Sequence, residues 1–547
     1  MNSSPPGPPA TAEPQHAVWI DPDKCMGCVV CLKACPMKAI RVRRGVATIL
    51  PELCLNCGQC YRVCPHRAVR CHTNNFRELL AFRHKVAAAS PALFSQFGYD
   101  VTPNQVLLGL KRMGFDEVVD LGWVCEMTSG AMEEYLLDHP ALRPGISPVC
   151  PAVMRLIARR YPSLLANVLP IWPPRVLASR NFKALLSKRH GWTPEEVGVF
   201  HIAPCAAKMV SAEDPIALDQ PHVDGVISFR QVYGPLLHAL KGLKEDATLQ
   251  KCSGAGIAWG MSGGQAQGVD VGHTMAVAGF EEVVRILEML EAGRLNDLSF
   301  VEALMCPDGC LGGPLTVENR YRAKSVTLHH IRRYGTLSRV NRAKIRGMLD
   351  EGVFEWKGAL AAKPLPPLDE DKAQAIAKMK RVQALLAILP GGECGACGSP
   401  DCQTFAVDVV LGHAPESDCP FITERHRAQW ARSGRSPMTV KDIAEHLGLT
   451  VAAGAKGLER PAQGAYISDL LSDVMAGAKP GMLWMTIQTH QNVVAVAVLK
   501  ELAAVLLLGG RQPADDTRDK AEAEGLPILV SEEHAFELAG KLHALGL

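Results

Sequence analysis

Apolar and polar positions along residues 76–350 follow a pattern that predicts alternating strands and helices. Short apolar runs bounded by polar residues predict buried strands at Glu117–Leu121, Val197–Ile202 and Gly225–Ile227. Apolar residues spaced three or four positions apart predict helices at Pro151–Arg160 and Glu281–Leu290. This alternation is typical of an α/β domain.

The N-terminal part of the chain has a different pattern. Residues 1–17 are rich in Pro, Ala and Ser, which predicts a disordered tail. Residues 18–75 are dense in cysteine and punctuated by proline, so metal clusters would have to replace a hydrophobic core there.

The C-terminal part divides into a linker and two small domains. Residues 351–370 are Pro-rich and then charged, which predicts a linker, and residues 371–432 carry a predicted helix at Asp371–Leu389 followed by a cysteine cluster. Residues 437–547 are predicted to form a small α/β domain. Its predicted helices are Val440–Leu447 and Ile467–Met475, and its predicted strands are Leu483–Gln488, Ala504–Leu508 and Ile528–Val530.

Composition and charge narrow the function classes. The chain is 48% hydrophobic and 21% charged with a formal net charge of +2, which disfavours nucleic acid and anionic membranes as bulk partners. The most apolar stretch, Val493–Leu508, is interrupted by Lys500 and Glu501 and falls short of the ~20 residues that a membrane span needs. Nineteen cysteines in a chain without an export signal indicate metal ligands in a reducing cytoplasm.

One cysteine block occurs twice with the same spacing, C-x2-C-x2-C-x3-C-P, at residues 25–36 and 54–65. Three closely spaced cysteines can wrap one [4Fe–4S] cluster, and the fourth, followed by proline, turns away to the other cluster. Zinc is the alternative, but eight cysteines in two such runs favour iron–sulfur clusters. The predicted ligand sets are Cys25, Cys28, Cys31 and Cys64 for one cluster, and Cys54, Cys57, Cys60 and Cys35 for the other.

Four dispersed cysteines form a second candidate site in the middle of the chain: Cys150, Cys205, Cys306 and Cys310. Dispersed cysteines are commonly just buried apolar residues. Here three of them lie beside proline, and the last two lie in a Gly-rich turn that lets the backbone approach a bulky group.

These three segments resemble the three signature motifs of the [FeFe]-hydrogenase catalytic domain. The resemblance covers residues 76–350 and implies that Cys150, Cys205, Cys306 and Cys310 hold a [4Fe–4S] cluster. It also implies that Cys310 bridges to a diiron subcluster with CO and cyanide ligands, which together form the H-cluster, and that Lys208 donates a hydrogen bond to one cyanide. The alternative for Lys208 is a solvated surface lysine.

The chain departs from that family pattern along the expected proton route. Val149 replaces the relay cysteine of the first motif. Met132-Glu133-Glu134 resembles a family helix start in which Glu134 is one proton-path carboxylate, but Leu137 stands where the second is expected. Because proton relays need groups within hydrogen-bond reach, the fast route is expected to be lost. This combination resembles the sensory hydrogenases.

A third cysteine cluster, C-x2-C-x4-C-x16-C, resembles the small [4Fe–4S] domain of corrinoid iron–sulfur proteins and of some hydrogenase-related sensors. Its predicted ligands are Cys394, Cys397, Cys402 and Cys419, with zinc as the alternative. Its expected role is electron exchange with the middle domain or with a partner.

The last domain resembles the DRTGG regulatory domain, whose namesake motif would lie at Leu508-Gly509-Gly510-Arg511. The polar string Gln488–Asn492 follows a predicted strand end, which is where α/β domains place ligands, although such a string can also be a solvated loop.

Some features outside the clusters are also interpreted. Cys71, Cys125 and Cys252 are interpreted as ordinary buried thiols. Gly263-Gly264 resembles a family turn beside the diiron pocket, or is a simple helix-start turn.

The expected fold class is multidomain α/β and α+β. It combines a ferredoxin-like 2[4Fe–4S] module, an [FeFe]-hydrogenase-type α/β domain, a small four-cysteine domain and a DRTGG-like α/β domain. The expected function is a sensory or low-activity [FeFe] hydrogenase acting on H2 and protons, with three further [4Fe–4S] clusters as electron relays. There are two alternatives. One is a working hydrogenase with an unusual proton route, and the other is an iron–sulfur electron-transfer or assembly scaffold without the diiron unit. The expected partners are a ferredoxin-like redox protein and a signalling protein, without nucleic acid or membrane insertion.

Overall fold

The structure is a computed structural model that describes residues 16–213, 223–422, 438–545 and 547. It divides into two compact units, one of Met1–Ala387 with Gly391–Asp418 and one of Ile388–Pro390 with Cys419–Leu547. Residues 1–15 of the predicted tail, residues 423–432 of the predicted four-cysteine domain and residue 437 lie outside the described residues. Among the helices described, none combines the length and apolar character that crossing a bilayer requires.

The first unit begins with the cysteine-dense region, which forms two small antiparallel ladders. Its strands are β1 (Val18–Ile20), β2 (Ile40–Arg43), β3 (Val46–Ile49) and β4 (Val69–Cys71), and its helices are α1 (Val30–Lys33) and α2 (Gln59–Val63), with a 3₁₀ turn at Pro22–Lys24. Strand β1 pairs with β4, and β2 pairs with β3 as a hairpin. Both helices begin after a residue with positive φ, Val29 (56°) and Gly58 (74°), so the two cysteine blocks fold alike.

The middle of the first unit has the α/β character that the pattern predicts. Its strands are β5 (His84–Ala89), β6 (Glu117–Asp120), β7 (Gly145–Ile146), β8 (Val197–Ala203), β9 (Gly225–Ser228), β10 (Thr274–Ala278) and β11 (Phe300–Leu304). Its helices are α3 (Pro103–Arg112), α4 (Leu121–Asp138), α5 (Pro151–Arg160), α6 (Pro174–His190), α7 (Ala207–Glu213), α8 (Phe229–Ala239), α9 (Gly254–Ala258), α10 (Gly264–Gly268), α11 (Phe280–Glu291), α12 (Arg320–Tyr334) and α13 (Arg342–Asp350). Its 3₁₀ turns are Glu78–Ala81, Pro91–Gln96, Pro162–Asn167, Pro194–Glu196 and Gly309–Gly312.

These strands form two parallel sheets. One has the order β6-β5-β8-β9 and the other has the order β10-β11-β7. Every residue of β8 is buried, as expected for a central strand covered on both faces. Helix Pro151–Arg160 has the predicted bounds, and the strand predicted at Glu117–Leu121 ends one residue early because Asp120 caps α4 by accepting from the Gly122 N–H at 3.0 Å.

Two helices complete the first unit. Helix α14 (Lys372–Ile388) confirms the helix predicted after the linker, and α15 (Cys402–Val410) begins at the third cysteine of the third cluster, with a 3₁₀ turn at Glu416–Asp418.

The second unit is a small α/β domain. Its strands are β12 (Thr450–Ala453), β13 (Ala465–Ile467), β14 (Leu483–Thr486), β15 (Ala504–Leu507) and β16 (Ile528–Val530); its helices are α16 (Val440–Leu447), α17 (Leu471–Gly477), α18 (Asn492–Leu499), α19 (Asp515–Glu524) and α20 (Ala535–Ala544), with a 3₁₀ turn at Ala455–Gly457. The sheet order is β12-β16-β15-β14-β13, parallel except for β12.

One predicted helix of this domain is wrong in its first half. Residues of the predicted helix Ile467–Met475 divide into the end of β13 and the helix Leu471–Gly477. Between them the Asp469 carboxylate accepts from the Thr486 hydroxyl at 2.8 Å and from the Ile487 N–H at 2.9 Å. These bonds fix a turn where the apolar spacing alone indicated continuous helix.

Candidate metal centres

The structure brings the eight cysteines of the repeated block to two cavities. One cavity is lined by Cys25, Cys28, Cys31 and Cys64. The other is lined by Cys35, Cys54, Cys57 and Cys60. Each set contains three cysteines of one block and the last cysteine of the other, which is the exchange expected for two cubane clusters. Within the described ranges, no three His, Cys, Asp or Glu side chains lie close enough to hold a single metal ion.

Backbone N–H groups donate to the cysteine sulfurs of both cavities. The Ala39 N–H donates to Cys35 Sγ at 3.2 Å, and the Ala68 N–H donates to Cys64 Sγ at 3.3 Å. Both bonds span four residues, so the two blocks repeat this feature. Such bonds stabilise a cluster-bound thiolate and help to set its reduction potential.

Burial makes these thiols poor acids unless a cation compensates them. Burial, followed by the nearby charges of Cys25 and Cys64, raises the pKa of Cys31 to about 11. Burial also raises the pKa of Cys57 to about 12. Iron would supply the positive charge that these buried sulfurs need, so the donor sets fit two [4Fe–4S] clusters.

The topology of the two parallel sheets brings the four dispersed cysteines together. Cys205 follows the carboxyl end of β8, and Cys306 follows the carboxyl end of β11. Cys150 follows β7, which pairs with β11, and it is the N-cap residue of α5. Burial and then the charges of Cys205, Cys150 and Cys310 raise the pKa of Cys306 well above its ordinary value, as expected for four neighbouring thiols, each of which is half-buried.

Lys208 lies inside this site rather than on the surface. Its Nζ lies 3.6 Å from Cys205 Sγ and 3.6 Å from Cys310 Sγ, and the residue is only 7% exposed. Burial alone would lower the pKa of Lys208, but the thiolates of Cys205, Cys310 and Cys150 outweigh it and hold the pKa above its ordinary value. The ammonium therefore stays charged beside the sulfurs.

Arg175 is a second buried cation at the site, and the sequence motifs did not indicate it. Its Nη1 donates to the Val149 carbonyl at 3.1 Å, and its Nη2 donates to the Ser211 hydroxyl at 2.7 Å. Burial lowers the pKa of Arg175 to about 10, against the raising effect of Cys205, Cys150 and Cys310. Two cations beside four thiolates suit an anionic cluster. The only signal in the sequence was a charged residue at the start of an apolar helical segment.

His201 lies on β8 near these two cations. It is 1% exposed, and its Nδ1 lies 3.1 Å from the Ala88 carbonyl. Burial and then the charges of Lys208 and Arg175 hold the pKa of His201 well below its ordinary value, so the ring is neutral. Among the described residues its Nε2 has no hydrogen-bond partner.

The glycine turn at Gly260–Gly264 packs against the Cys306–Cys310 loop. The Leu311 N–H donates to the Gly260 carbonyl at 3.0 Å, and a Cβ on Gly309 would lie 2.7 Å from the Ser262 nitrogen. The buried Glu302 carboxylate accepts from the Gly263, Gln265 and Ala266 N–H groups at 3.1, 3.0 and 2.9 Å. Burial nevertheless raises the pKa of Glu302 to about 7. Glu302 is a residue that the motif comparison overlooked.

The predicted proton-route residues lie on or beside α4. The predicted helix start at Met132-Glu133-Glu134 is wrong, because these residues lie in the second half of α4, which begins at Leu121. Glu134 is half-buried and forms an ion pair with Arg346 at 3.5 Å. Leu137 is 59% exposed, and Val149 is half-buried beside Cys150.

The three unassigned cysteines differ from one another. Cys125 and Cys252 are buried, as the sequence interpretation expected. Cys71 retains partial exposure, and burial followed by the charges of Cys205 and Cys57 raises its pKa. Cys71 therefore lies between a cysteine of the middle site and one of the repeated blocks.

The repeated-block region contacts the middle site directly through the loops that carry its cysteines. Arg62 donates to the Gly312 carbonyl and, at 3.0 Å, to the Gly313 carbonyl. A Cβ on Gly58 would lie 2.7 Å from Pro314 Cγ, and the Arg159 guanidinium donates to the Cys54 carbonyl at 2.9 Å. The cavity of Cys35, Cys54, Cys57 and Cys60 is therefore the one next to the middle site.

Three of the four cysteines of the third cluster lie in the first unit. Cys394 is exposed, Cys397 is half-buried and Cys402 is buried, and the Cys402 N–H donates to the Gly392 carbonyl at 3.2 Å. Cys419 is buried and belongs to the second unit.

An arginine-rich cleft opens beside the repeated blocks. Cys64 lies in its wall. Its acidic lining residue is Glu318, which forms an ion pair with Arg322 at 3.5 Å. The arginines that line it are Arg62, Arg67, Arg70, Arg230 and Arg320.

In the second unit, polar loops meet at the carboxyl edge of the sheet. The string Gln488–Asn492 follows β14, and Arg511 Nη1 donates to the Ile487 carbonyl at 3.4 Å. Gly509 and Gly510 both have positive φ, and a Cβ on Gly510 would lie 2.5 Å from the Glu532 carboxylate. Two adjacent glycines are thus required for this turn.

Comparison with protein families gives three matches. Residues 83–271 and 265–314 match the iron only hydrogenase large subunit, C-terminal domain. Residues 17–66 match the 4Fe-4S dicluster domain, and residues 389–421 match a family described as a putative Fe-S cluster.

Individual proteins give a consistent but distant likeness. The chain is 25% identical over 371 residues to the periplasmic [Fe] hydrogenase large subunit of Nitratidesulfovibrio vulgaris, covering 56% of this chain and 88% of that protein. A variant of the [FeFe]-hydrogenase HydA1 from Chlamydomonas reinhardtii superposes with a TM-score of 0.42 at 16% identity, over 51% of this chain and 95% of that chain. The CBS and DRTGG domains of a Clostridium perfringens pyrophosphatase superpose with a TM-score of 0.18 at 12% identity, over 23% of this chain and 56% of that chain.

Proposed function

We propose that this chain, an [FeFe]-hydrogenase-family protein with additional iron–sulfur domains, is a sensory or low-activity [FeFe] hydrogenase. The observation that carries the proposal is the position of Lys208. Its ammonium lies 3.6 Å from the sulfurs of both Cys205 and Cys310 in the four-cysteine site. A buried ammonium is costly unless negative charge compensates it, and a cluster held by four thiolates would supply that charge.

In this proposal Cys150, Cys205, Cys306 and Cys310 would hold a [4Fe–4S] cluster, and Cys310 would also help to hold a diiron unit. The diiron unit, when bound, supplies the chemistry that interconverts H2 with protons and electrons. Lys208 holds its proton and orients an anionic ligand by hydrogen bonding, and Arg175 balances charge while it fixes the Val149 carbonyl at 3.1 Å. The buried position of Lys208 limits the access of water to its hydrogen bonds.

The low activity that we propose follows from the residues that would move protons. The Val149 side chain has no proton to donate, and Leu137 is exposed and apolar. Glu134 is engaged with Arg346 at 3.5 Å, so its carboxylate is already partnered. General acid–base groups out of hydrogen-bond reach of one another contribute little of the usual ~10²–10⁴-fold rate gain.

Three further [4Fe–4S] clusters are proposed as the electron relay. Two of them occupy the cavities of the repeated blocks, and the third uses Cys394, Cys397, Cys402 and Cys419. The cavity of Cys35, Cys54, Cys57 and Cys60 lies next to the middle site, which supports its place as the first relay. We propose a reducing compartment, the cytoplasm, because sixteen ligand thiols must stay reduced.

The proposed redox partner is an acidic, ferredoxin-like electron carrier. The arginine-rich cleft supports this choice, because five arginines and one glutamate line it while the whole chain has a formal net charge of only +2. Two of these arginines, Arg70 and Arg320, also pair with Asp21 and Asp308. Cys64 in the cleft wall would place a cluster close to the docked carrier. Charge complementarity of this kind accelerates association and makes it sensitive to salt.

The second unit is proposed as a regulatory DRTGG-like module. Its mostly parallel sheet and the polar loops at its carboxyl edge support a ligand-responsive role, since α/β domains bind ligands at that edge. Hydrogen sensing would then be passed to a signalling partner.

An infrared spectrum of the fully matured protein in the CO and cyanide stretching region tests the proposal. We expect bands that shift under H2, together with a turnover well below that of efficient hydrogenases. A sample that contains iron for four cubanes but shows no such bands would instead indicate an iron–sulfur scaffold. Turnover near that of efficient enzymes would contradict the low-activity part alone.

A further inference from the structure

Three cysteines of the third cluster, Cys394, Cys397 and Cys402, lie in a small segment, Gly391–Asp418, that belongs to the first compact unit. The sequence left two destinations open for its electrons, the middle domain or a partner. The polar contacts of this segment favour neither of them. They are made instead with residues 29–49, which include α1 and the β2–β3 hairpin. These residues belong to the repeated-block region, called the dicluster region from here on because it carries the two predicted clusters.

A single buried carboxylate joins the two regions. Asp408 accepts from Arg41 Nε at 2.5 Å and from Arg41 Nη2 at 2.9 Å, with side-chain exposures of only 9% for Arg41 and 3% for Asp408. Arg43 Nη2 also lies 3.2 Å from Asp408, and the Ser399 hydroxyl donates to the same carboxylate at 2.6 Å. A bidentate arginine pair fixes orientation as well as distance. Removing one partner from such a pair leaves the other charge buried and unpaired.

Backbone contacts continue this attachment towards the cysteines themselves. The Val42 N–H donates to the Gly398 carbonyl at 2.8 Å, so the segment extends the free edge of β2. Arg43 Nη1 donates to the Cys397 carbonyl at 2.7 Å. Gly398 has φ +73°, and a Cβ there would lie 1.7 Å from the Val42 carbonyl oxygen. Only glycine fits this approach.

The contact surface lies over the stretch that supplies a ligand to each dicluster cavity. A Cβ on Gly395, between Cys394 and Cys397, would lie 3.6 Å from Leu32 and 3.8 Å from Val29, which flank Cys31. At the other end Lys38, three residues after Cys35, forms an ion pair with Asp401, the residue before Cys402. Cys31 lines one cavity of the dicluster region and Cys35 lines the other.

We propose that Gly391–Asp418 is a redox module that the Arg41–Asp408 pair fixes to the dicluster region, so that the third cluster exchanges electrons with the dicluster pair. This inference rests on the proposed iron–sulfur clusters but not on the diiron unit. In each exchange one electron leaves one cubane, which is oxidised, and enters the neighbouring cubane, which is reduced, with no bond or proton change. Arg41, Arg43 and Asp408 are positioning residues in this step.

Electron paramagnetic resonance of the full-length, cluster-loaded protein tests the proposal. In the fully reduced wild type we expect a magnetic interaction between the third cluster and the dicluster pair, and a Cys394→Ser variant should remove it. Asp408→Asn should retain its iron, while the microwave power that half-saturates the third-cluster signal falls at least threefold. Glu416→Gln, an exposed acidic residue of the same module, is the matched control and should behave as wild type.

A pair of glycine variants tests the same contact without relying on the folding of the Asp408→Asn protein. Gly398→Ala and Gly391→Ala impose the same left-handed strain, with φ +73° and +76°, but only Gly398 has a neighbour within 4 Å of the added Cβ. We expect Gly398→Ala alone to weaken the interaction and to speed proteolysis of the module at least tenfold. A wild-type spectrum without the interaction, or Asp408→Asn and Gly398→Ala proteins that keep it with full iron content, would overturn the proposal. A protein without CO and cyanide infrared bands that keeps the magnetic interaction would contradict the proposed hydrogenase function but would still support this electron route.

Discussion

Replacing Lys208 by methionine should make the [4Fe–4S] cluster of the middle site harder to reduce. Methionine is similar in length and volume but carries no charge, so the change removes one cation 3.6 Å from two ligand sulfurs. At an effective dielectric of about 20, a unit charge at that distance is worth roughly 4–5 kcal/mol, and about 3 kcal/mol when the electron is spread over a cluster behind the sulfurs. Because a one-electron couple changes by about 59 mV per tenfold change in equilibrium, the midpoint potential should fall by roughly 130 mV.

The assay is a redox titration followed by electron paramagnetic resonance, on protein loaded with [4Fe–4S] clusters but without the diiron unit. Lys324→Met is the matched control, because Lys324 also borders the Cys306–Cys310 loop, through an ion pair with Asp308 at 3.1 Å, but its side chain is 45% exposed. Solvent screening should keep the control shift below about 20 mV. Iron content must match wild type in both variants.

A Lys208→Met midpoint within about 30 mV of wild type, or one that moves upward, would refute this electrostatic reasoning. It would mean that the ammonium is paired elsewhere when the cluster is bound, and it would weaken the proposed role of Lys208 as a hydrogen-bond donor to an anionic ligand.

Three further outcomes are expected. Val149→Cys should raise hydrogen turnover by at least about tenfold by restoring a proton-bearing group, whereas Val149→Ala should leave turnover unchanged; equal rates for both would contradict the proton-route explanation. Glu302 has a folded pKa of about 7, above the ordinary value of 4.5, so its protonated form favours the fold. Its contribution to stability is therefore present below pH 4.5 and lost as pH rises to about 7. With about 1.36 kcal/mol per pKa unit, the free energy of unfolding should fall by roughly 3 kcal/mol over this range. Denaturation midpoints of the apo-protein at pH 5 and pH 8 measure this loss, and Glu302→Gln should abolish it. Cys71→Ser should keep the iron of four cubanes, about 16 atoms, whereas Cys57→Ser should lose about four; iron loss in the Cys71 variant would make Cys71 a ligand.

Much of the site was predictable from the sequence because its determinants are local. The spacing of each repeated cysteine block carries the geometry of a cluster, and the structure gathers the same two sets of four around two cavities. Helix Pro151–Arg160 was predictable to the residue, since a proline opens it and an apolar stripe runs along it. Lys208 was indicated by its motif, three residues after Cys205.

The remaining features depend on contacts between distant parts of the chain. Arg175 reaches the site from α6 and Glu302 from β11, and neither belongs to a cysteine motif. The helix predicted through Ile467 failed because Asp469 bonds to Thr486, a residue of the next strand. The attachment of the third cluster depends on Arg41 meeting Asp408 across 367 positions, which no local pattern can encode.

The contact between β2 and Gly398 also affects how the protein can be divided for expression. A recombinant fragment that stops before residue 391 would expose Arg41 without its carboxylate and would open the Val42 edge of the hairpin to solvent. An uncovered strand edge can pair with the same edge of a second molecule, which makes such a fragment prone to self-association. Fragments intended to isolate the N-terminal clusters should therefore extend through Asp418.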